Sequence, residues 1–259
     1  MDKKIKNGII YYKFKHFAKT ELVNHCFSTR IGGVSKPPYN EMNLAYHMGD
    51  DPDDVDENFR LICKAVGFDY EKIIMTNQEH KANYQVITDK GKIEKPTDIL
   101  ITSTPELVLT SYHADCVPLL YLDPVKKVIA NAHAGWRGTM ADVCIKTLNS
   151  MKEHFDCRVE DILIGIAPCI SFDHFEVEKD IVDKMKHHHN SPECFKQKTD
   201  DKWLINLAEI NRQRLIQKGI LEKNIEIANI CTFKNPDLLF SHRRDGKSRG
   251  NMAAMIALK

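Results

Sequence analysis

The pattern of apolar and polar positions along the chain switches repeatedly between strand-like runs and helix-like stretches. Runs rich in aromatic and β-branched residues, which favour strands, occupy residues 8–14, 23–29, 72–75, 84–88, 99–102, 107–122, 127–134, 162–167, 225–230 and 251–258. Apolar residues recur at helical spacing in residues 53–66, 139–155, 175–186 and 205–218. Because several strands follow one another directly, the pattern predicts an α+β fold, with mixed sheet and outer helices, in a single domain of residues 1–259.

Polar residues and glycines predict where these helices begin and end. Asp53 or Asp54 is expected to cap the first helix, and Thr139 the second. Gly219 should stop the last one. The histidine run at residues 187–189 precedes turn residues, and consecutive helix residues point in different directions. We interpret it as a helix C-terminus, where the helix dipole favours positive charge, and not as a metal site.

Two neighbouring strand-like runs carry polar residues where a structural strand would have apolar ones. The first run, residues 107–122, contains Asp115 and Cys116 in its middle, and the second, residues 127–134, contains His133 near its end. Buried polar groups need partners. An Asp-Pro turn signal separates the runs, so a hairpin or short connection would lay them side by side. Cys116 and His133 would then lie within reach of each other.

His80 is the third candidate ligand, because it follows the strand-like run at residues 72–75 in a polar stretch. Two imidazoles and a thiolate suit zinc, and three protein ligands leave a position for water or substrate, as catalytic zinc requires. The alternative is structural, since a single Cys in a strand is usually a small core residue. No close pair such as C-x-x-C is present, so spacing alone leaves both interpretations open.

Two arginines outside the metal candidates are candidates for anion binding. Arg30 follows a strand-like run and precedes Gly32-Gly33. Such glycines let backbone N–H groups approach an anion, and arginine binds phosphate through two parallel hydrogen bonds. Arg137 precedes a predicted helix whose N-terminal dipole favours an anion. The alternatives are an ordinary glycine turn with a solvated Arg30, and a solvated Arg137 at the helix start.

Composition narrows the class of partner. With 37 basic and 36 acidic residues, the net charge of +1 argues against nucleic acid or an anionic membrane as the main partner. Lysines interrupt the apolar residues at the N-terminus, which leaves no signal-peptide core, and no apolar stretch is long enough to span a bilayer. The eight cysteines are widely spaced, so we expect reduced thiols in a cytoplasmic protein that binds a small molecule.

Several motifs together resemble one family over nearly the whole chain. They are FSTRIGGVS, NQEH, HADCVPLLYLDP, IANAHAGWRGT, IGIAPCI and FSHRRDG, in the family's order, joined by Asn43 and by residues 49–51. The family is the laccase-domain, YfiH-type group of bacterial proteins, long labelled multicopper polyphenol oxidases and more recently purine nucleoside phosphorylases. The chain departs from it after the last motif: where Gly-Arg often stands, it has Gly250-Asn251, with Arg249 one residue earlier. The resemblance therefore carries no role over to that arginine.

The resemblance implies a site and an activity. Its catalytic candidates are His80, Cys116, His133 and Asp115, with Zn²⁺ held by the two histidines and the cysteine. Its candidates for binding substrate and phosphate are Arg30, Asn43, Arg137, Arg243 and Arg244. The expected reaction is phosphorolysis of adenosine, inosine or S-methyl-5′-thioadenosine, in which phosphate attacks the ribose anomeric carbon, with adenosine deamination as a second activity. Purine nucleosides and phosphate are the expected partners of a monomer or homodimer.

Three other functions stay open at this point. A copper polyphenol oxidase would use the same trio, since His, Cys and His also make a blue-copper site, but the histidine pairs of a multicopper cluster are missing from the sequence. A cysteine hydrolase would use Cys116 as nucleophile and His133 as base. A non-enzymatic metal-binding module is the third.

Overall fold

The computed structural model describes residues 1–91, 93, 95–188 and 191–259. Its strands are β1 (Asp2–Lys6), β2 (Ile9–Lys13), β3 (Val23–Ser28), β4 (Ile73–Met75), β5 (Tyr84–Val86), β6 (Ile99–Thr102), β7 (Val108–His113), β8 (Val117–Asp123), β9 (Val128–Ala134), β10 (Leu163–Ile166), β11 (Glu176–Glu178), β12 (Phe195–Gln197), β13 (Lys202–Ile205), β14 (Ile225–Ile227) and β15 (Met252–Leu258). Its helices are α1 (Lys15–Thr20), α2 (Pro52–Val66), α3 (Trp136–Met140), α4 (Val143–Phe155), α5 (Lys179–His188), α6 (Leu207–Gln217) and α7 (His242–Asp245). The histidine run at residues 187–189 reaches beyond the described residues, so its interpretation stays a prediction.

Within the described ranges, the strands form two six-stranded sheets and one three-stranded sheet. The first sheet has the order β1-β2-β3-β15-β7-β4, and its pairs are antiparallel except for β4 with β7. The second has the order β14-β10-β8-β9-β6-β5, with β10–β14 and β5–β6 parallel. The third, β11-β13-β12, is antiparallel. The predicted mixed fold is confirmed, with two large sheets where one central sheet was the simplest expectation.

An apolar core lies between the two large sheets. Phe27 and Leu109 from the first sheet and Leu120 and Ile129 from the second are fully buried in it. Such residues alternate with others that face outwards, because successive side chains on a strand point to opposite faces. Burying each of these side chains stabilises the fold by about 1.5–3 kcal/mol.

Helices cover the outer faces of both large sheets. Phe59 and Ile62 of α2 pack in one outer core with Met255 of the first sheet. Leu148 of α4 and Ile210 of α6 pack in the other outer core, on the second sheet. The apolar spacing in α2 and α4 places one stripe of each helix against its sheet. The result is a helix–sheet–sheet–helix stack, and the candidate ligands lie where its strands end.

The run at residues 107–122 is not one strand, as the pattern suggested. β7 ends at His113, β8 begins at Val117, and the two strands belong to different large sheets. Asp115, with a φ of 93°, turns the chain between them. The hairpin with the next run is confirmed, since β8 and β9 pair antiparallel with Pro118 opposite His133.

The predicted caps of the first two long helices are wrong. Asp51, not Asp53 or Asp54, caps α2, and its side chain accepts a hydrogen bond from the Asp53 N–H at 3.0 Å. Pro52 makes this the natural start, because proline fits the first helical position. Thr139 lies inside the short α3 instead of capping a helix.

A salt bridge and a strand pairing account for two further differences. α4 starts after Asp142, whose φ is 55° and whose carboxylate binds Arg214 at 2.9 and 2.7 Å. Residues 176–178, predicted as helix, form β11 because they pair with β13. Both causes are contacts with distant parts of the chain. In the described ranges no helix combines the length and apolarity needed to cross a membrane. The assignment of residues 1–259 to one domain stays a prediction.

Candidate metal centre

The structure brings the three predicted ligands together. His133 lies in β9, Cys116 immediately precedes β8, and His80 lies in the loop after β4. One potential ligand atom from each of these side chains lies within 4.8 Å of the other two. The two imidazole rings are 4.7 Å apart between centroids and nearly perpendicular. One strand of the second sheet, the turn before its neighbour and a loop thus deliver two nitrogens and one sulfur to one point.

The surroundings of this trio leave room for an ion. A Cβ atom at Gly135 would lie 2.9 Å from Nδ1 of His80 and 3.3 Å from Sγ of Cys116. Any larger residue would therefore push against the ligands. Imidazole nitrogen and thiolate sulfur are donors that zinc and copper accept. The residues present fit a metal ion, and the fold positions them for it.

Asp98, which the sequence did not single out, orients two of the three ligands. Its Oδ1 lies 2.9 Å from Nδ1 of His133 and accepts the backbone N–H of His80 at 3.1 Å, while Oδ2 accepts the N–H of Lys81 at 2.9 Å. Burial raises the pKa of this carboxyl, but the hydrogen bond and charge of His133 oppose it, and the net shift is downwards. A carboxylate behind a ligating histidine fixes the ring and raises its basicity. Its only sequence signal is an aspartate directly before the apolar β6.

The electrostatics of the trio favour a thiolate. Burial opposes ionisation of Cys116, but the charges and hydrogen bonds of His133 and His80 lower its pKa to about 6. Burial lowers the pKa of His133, while Cys116 and Asp98 raise it to about 9 overall. By contrast, burial raises the pKa of Cys144, in the core, to about 12. A thiolate is the form that binds metal or acts as nucleophile.

A second buried histidine supports the loop of Cys116. Nδ1 of His113 lies 3.2 Å from the carbonyl oxygen of Cys116, and its Nε2 lies 2.7 Å from Oγ of Ser111. Ser111 donates to Oδ1 of Asn131 at 2.6 Å. Burial holds the pKa of His113 well below its usual value, so the ring is neutral. These contacts stiffen the turn between β7 and β8 that carries the ligand.

Two cavities adjoin the trio. The larger, of about 550 Å³, is lined by His80, Ala114, Asp115, Cys116, Trp136, Arg137, Ile170, Phe175, Glu176, Val177, Glu178, Ile181, Lys202, Leu207, His242, Arg243 and Arg249. The smaller, of about 360 Å³, is lined by His47, Thr76, Asn77, Gln78, His80, Tyr112, Ala114, Cys116, His133, Arg249 and Asn251. A bound ion would therefore face two separate spaces.

Asp115 and Arg243 line the larger cavity and hold each other in place. Oδ2 of Asp115 accepts the backbone N–H of Arg243 at 2.6 Å, and its Oδ1 accepts the hydroxyl of Thr232, also at 2.6 Å. The guanidinium of Arg243 lies over the ring of Phe175, 5.4 Å from its centroid. The contacts of Asp115 are those of a positioning residue, and its catalytic role stays a prediction.

Of the four other residues predicted to bind substrate or phosphate, one lines a cavity beside the trio and three line neither cavity. Arg137 lines the larger cavity and stacks on Trp136 at 4.3 Å. Arg30, Asn43 and Arg244 are not among the residues that line either cavity. These three therefore do not line the two cavities beside the trio, where the resemblance implied that they bind substrate and phosphate.

Each of those three residues has structural partners. Arg30 donates to the carbonyls of Asn40 and Pro236 at 2.9–3.0 Å. Arg244 pairs with Asp245 at 2.7 Å and donates to three carbonyls. Asn43 is fully buried, and its Oδ1 accepts the N–H of Asn251 at 2.9 Å. These contacts stabilise loops around the site, and a role of the three residues in binding substrate or phosphate stays a prediction.

Comparisons with known proteins agree with the geometry. A family model described as multi-copper polyphenol oxidoreductase laccase matches residues 24–259. The chain is similar to purine nucleoside phosphorylase YfiH of Escherichia coli (strain K12), with 34% identity over 233 residues that cover 90% of this chain and 93% of that protein. It is 32% identical to purine nucleoside phosphorylase LACC1 of Mus musculus, and the match covers 91% of this chain but 55% of LACC1, about half of its length. The crystal structure of YlmD from Geobacillus stearothermophilus matches with a TM-score of 0.92 and 28% identity over 99% of this chain and 98% of that one.

Proposed function

The chain belongs to the multi-copper polyphenol oxidoreductase laccase family, and from that premise we propose that it is a zinc-dependent purine nucleoside phosphorylase with adenosine deaminase activity. One observation carries the proposal. The trio of His80, Cys116 and His133 lies beside two cavities, and at least one arginine lines each of them. A phosphorolytic enzyme must bring an anion and a nucleoside together at one point, and this arrangement provides two spaces that meet there.

The larger cavity suits the nucleoside. Phe175, Ile170 and Trp136 offer apolar surface on which a purine can stack. Polar groups at its other walls, among them Asp115 and Glu176, can accept hydrogen bonds from ribose hydroxyls. The substrates we assign are adenosine, inosine and S-methyl-5′-thioadenosine.

The reaction asks the chain to hold charge and to orient two molecules. An oxygen of hydrogen phosphate forms a bond to C1′ of the ribose while the C1′–N9 bond breaks, and the proton of the phosphate ends on the released purine. Guanidinium groups near the reacting atoms stabilise the negative charge of the phosphate and of the departing purine, and Arg137, Arg243 and Arg249 line the cavities beside the trio. Holding both reactants in line removes much of the entropic cost of their encounter.

Zinc is the ion we assign to the trio. Bound Zn²⁺ would supply Lewis-acid chemistry, either by polarising a substrate oxygen or by lowering the pKa of a bound water to about 7. Asp98 holds the His133 ring so that its other nitrogen points into the trio. Copper is the less favoured ion, because this trio is the one such ligand group among the residues the structure describes, whereas a multicopper oxidase requires several histidine pairs.

A cysteine hydrolase is the second candidate, and one observation favours it. Cys116, His133 and Asp98 form a nucleophile–base–carboxylate series, with the thiol pKa lowered to about 6 and the carboxylate 2.9 Å from the imidazole. The two candidates differ in their response to metal. Zinc should protect Cys116 from alkylation by iodoacetamide in the phosphorylase, and a chelator should activate a hydrolase that zinc blocks.

Purine release from a panel of nucleosides, with and without phosphate and on protein of defined metal content, tests the proposal. We expect inosine to give hypoxanthine and ribose 1-phosphate only when phosphate is present. Adenosine should also give inosine and ammonia without phosphate, and chelation should abolish both reactions. Oxidation of a phenol by copper-loaded protein, without purine release from the zinc form, would instead favour the oxidase.

A further inference from the structure

The two cavities beside the metal trio share four lining residues. His80, Ala114, Cys116 and Arg249 border both of them. Arg249 is the one arginine in this shared set, and it is also the arginine to which the sequence resemblance assigned no role. A molecule in either cavity therefore lies beside the same guanidinium and the same potential ligands.

The cavities differ in the carboxyl groups that line them. The larger one carries the carboxyl groups of Asp115, Glu176 and Glu178 together with basic and aromatic side chains. Of the described residues that line the smaller one, none is a carboxylate, and His47, Gln78 and Asn251 accompany Arg249 there. Carboxylates repel a phosphate dianion, whereas neutral amides, imidazole and guanidinium can bind it. The smaller cavity is the better place for inorganic phosphate.

Arg249 is held in place but has an unmet hydrogen-bond donor. Its Nη1 donates to the side-chain oxygen of Asn251, and to the carbonyl of Gly250 at 3.1 Å. Its Nε is buried, and the described residues offer this atom no acceptor. A buried donor without a partner costs free energy. An anion bound alongside the guanidinium would supply the missing acceptor.

We propose that Arg249 binds the phosphate that attacks the nucleoside, in the smaller cavity, while the nucleoside occupies the larger one. This inference rests on the proposed phosphorylase function. The two substrates then meet beside the trio, where the cavities share lining residues, and phosphate approaches the anomeric carbon from the side opposite the purine. Arg249 precedes Gly250-Asn251 in the chain, and its guanidinium is held towards the cavity by a hydrogen bond to the side-chain oxygen of Asn251.

Steady-state kinetics of Arg249→Gln and Arg249→Lys test the assignment. We expect Arg249→Gln to raise the KM for phosphate about 10- to 100-fold, the range for losing a charged hydrogen bond, and to leave the KM for inosine within about twofold. Arg249→Lys keeps the charge without the planar fork and should show an intermediate rise. Arg60→Gln is the control, since this exposed arginine on α2 borders neither cavity and should leave both constants unchanged.

A binding measurement separates failure of this assignment from failure of the proposed function. Titration of zinc-loaded protein with inorganic phosphate by calorimetry needs no turnover, and Arg249→Gln should weaken binding about 10-fold or more. If the wild type binds phosphate through Arg249 but releases no purine, the site stands and the phosphorylase function falls. If purine release is normal and both phosphate constants are unchanged in Arg249→Gln, the assignment of Arg249 is overturned. Should Arg249→Gln not fold, the same two measurements on Arg249→Lys decide.

Discussion

Two histidine–carboxylate pairs in this chain, one buried and one partly buried, are alike in chemistry but differ in their surroundings. In one, Nδ1 of His133 lies 2.9 Å from Asp98, and in the other, Nδ1 of His16 lies 2.6 Å from Glu226. The His133 ring borders Cys116 and the smaller cavity. The His16 ring packs on Phe17 at 4.3 Å between centroids, and its Nε2 is buried without a hydrogen-bond partner among the described residues.

The comparison shows what distinguishes a site from a structural ion pair. Both carboxyl groups have a pKa below the usual value, although burial pushes in the opposite direction in each. The shifted pKa therefore does not identify function. The distinguishing feature is the edge of the histidine ring that does not contact the carboxylate. At His133 this edge lies beside two further potential ligands and a cavity. At His16 it is buried beside Phe17. The two pairs should respond differently to substitution.

The largest effect is expected from removing the Cys116 thiolate, which lies beside the His133–Asp98 pair. Cys116→Ala takes away one of three ligands, and without the metal both phosphorolysis and deamination should fall by about a thousandfold or more. Elemental analysis should show zinc lost in this variant. Cys144→Ala is the matched control, because Cys144 is buried in the core on α4. Cys144→Ala should lower the stability of the fold and keep the metal. Zinc loss in both variants would mean that Cys116→Ala loses zinc because the fold is disturbed.

A smaller effect is expected from the carboxylate behind His133. Asp98→Asn keeps the shape but removes the charge that orients the ring, and we expect zinc affinity to fall about 10- to 100-fold. A competition assay with a chromogenic zinc chelator measures it. The corresponding change at the other pair, Glu226→Gln, should leave zinc affinity unchanged. Equal weakening by both substitutions would break the distinction between the pairs.

Substitution in the His16–Glu226 pair should change the stability of the fold and leave catalysis unchanged. Hydrogen bonds from the N-terminal amine and from His16 outweigh burial and lower the pKa of Glu226 to about 2, from an ordinary 4.5. A carboxyl with a depressed folded-state pKa stabilises the fold above its unfolded-state pKa, and this contribution is lost as the pH falls towards the folded-state value.

The free energy of unfolding of Glu226→Gln should therefore be about 2 kcal/mol lower than that of the wild type at pH 7. Turnover should stay within twofold of wild type. Urea denaturation from pH 7 to pH 3 is the measurement. The difference in free energy of unfolding between wild type and variant should narrow as the pH drops below 4.5. A difference that stays constant, or widens in acid, would mean that the ion pair is not its source.

How far the sequence predicts this molecule depends on whether the cause is local. Most strands of the two large sheets and the β8–β9 hairpin could be predicted, because their signals lie within short runs and one turn. The hairpin brings Cys116 to His133, whereas spacing alone left His80 open and the resemblance favoured it. The role of Asp98 could not, since it depends on a contact with His133, 35 residues away in the chain. The break between α3 and α4 escaped for the same reason, because Arg214 on α6 binds the carboxylate of Asp142.

The arginines show the same limit. Arg30 follows a strand and precedes two glycines, which is a plausible anion-binding pattern, yet its guanidinium donates to the carbonyls of Asn40 and Pro236. Arg249 has no such pattern around it, and the fold places it beside the trio. The sequence motifs did include Arg137 and Arg243, which line the larger cavity, but tertiary packing decides which of the candidate arginines reach it.

X-ray absorption at the zinc edge of protein purified without added metal tests the zinc site directly. We expect about one zinc per chain, with two nitrogen neighbours at about 2.0–2.1 Å, one sulfur at about 2.3 Å and a further light atom. Asp98→Asn should disturb the nitrogen shell, and Glu226→Gln should not. A first shell without sulfur, or copper in place of zinc, would contradict the assignment of His80, Cys116 and His133 as a zinc site.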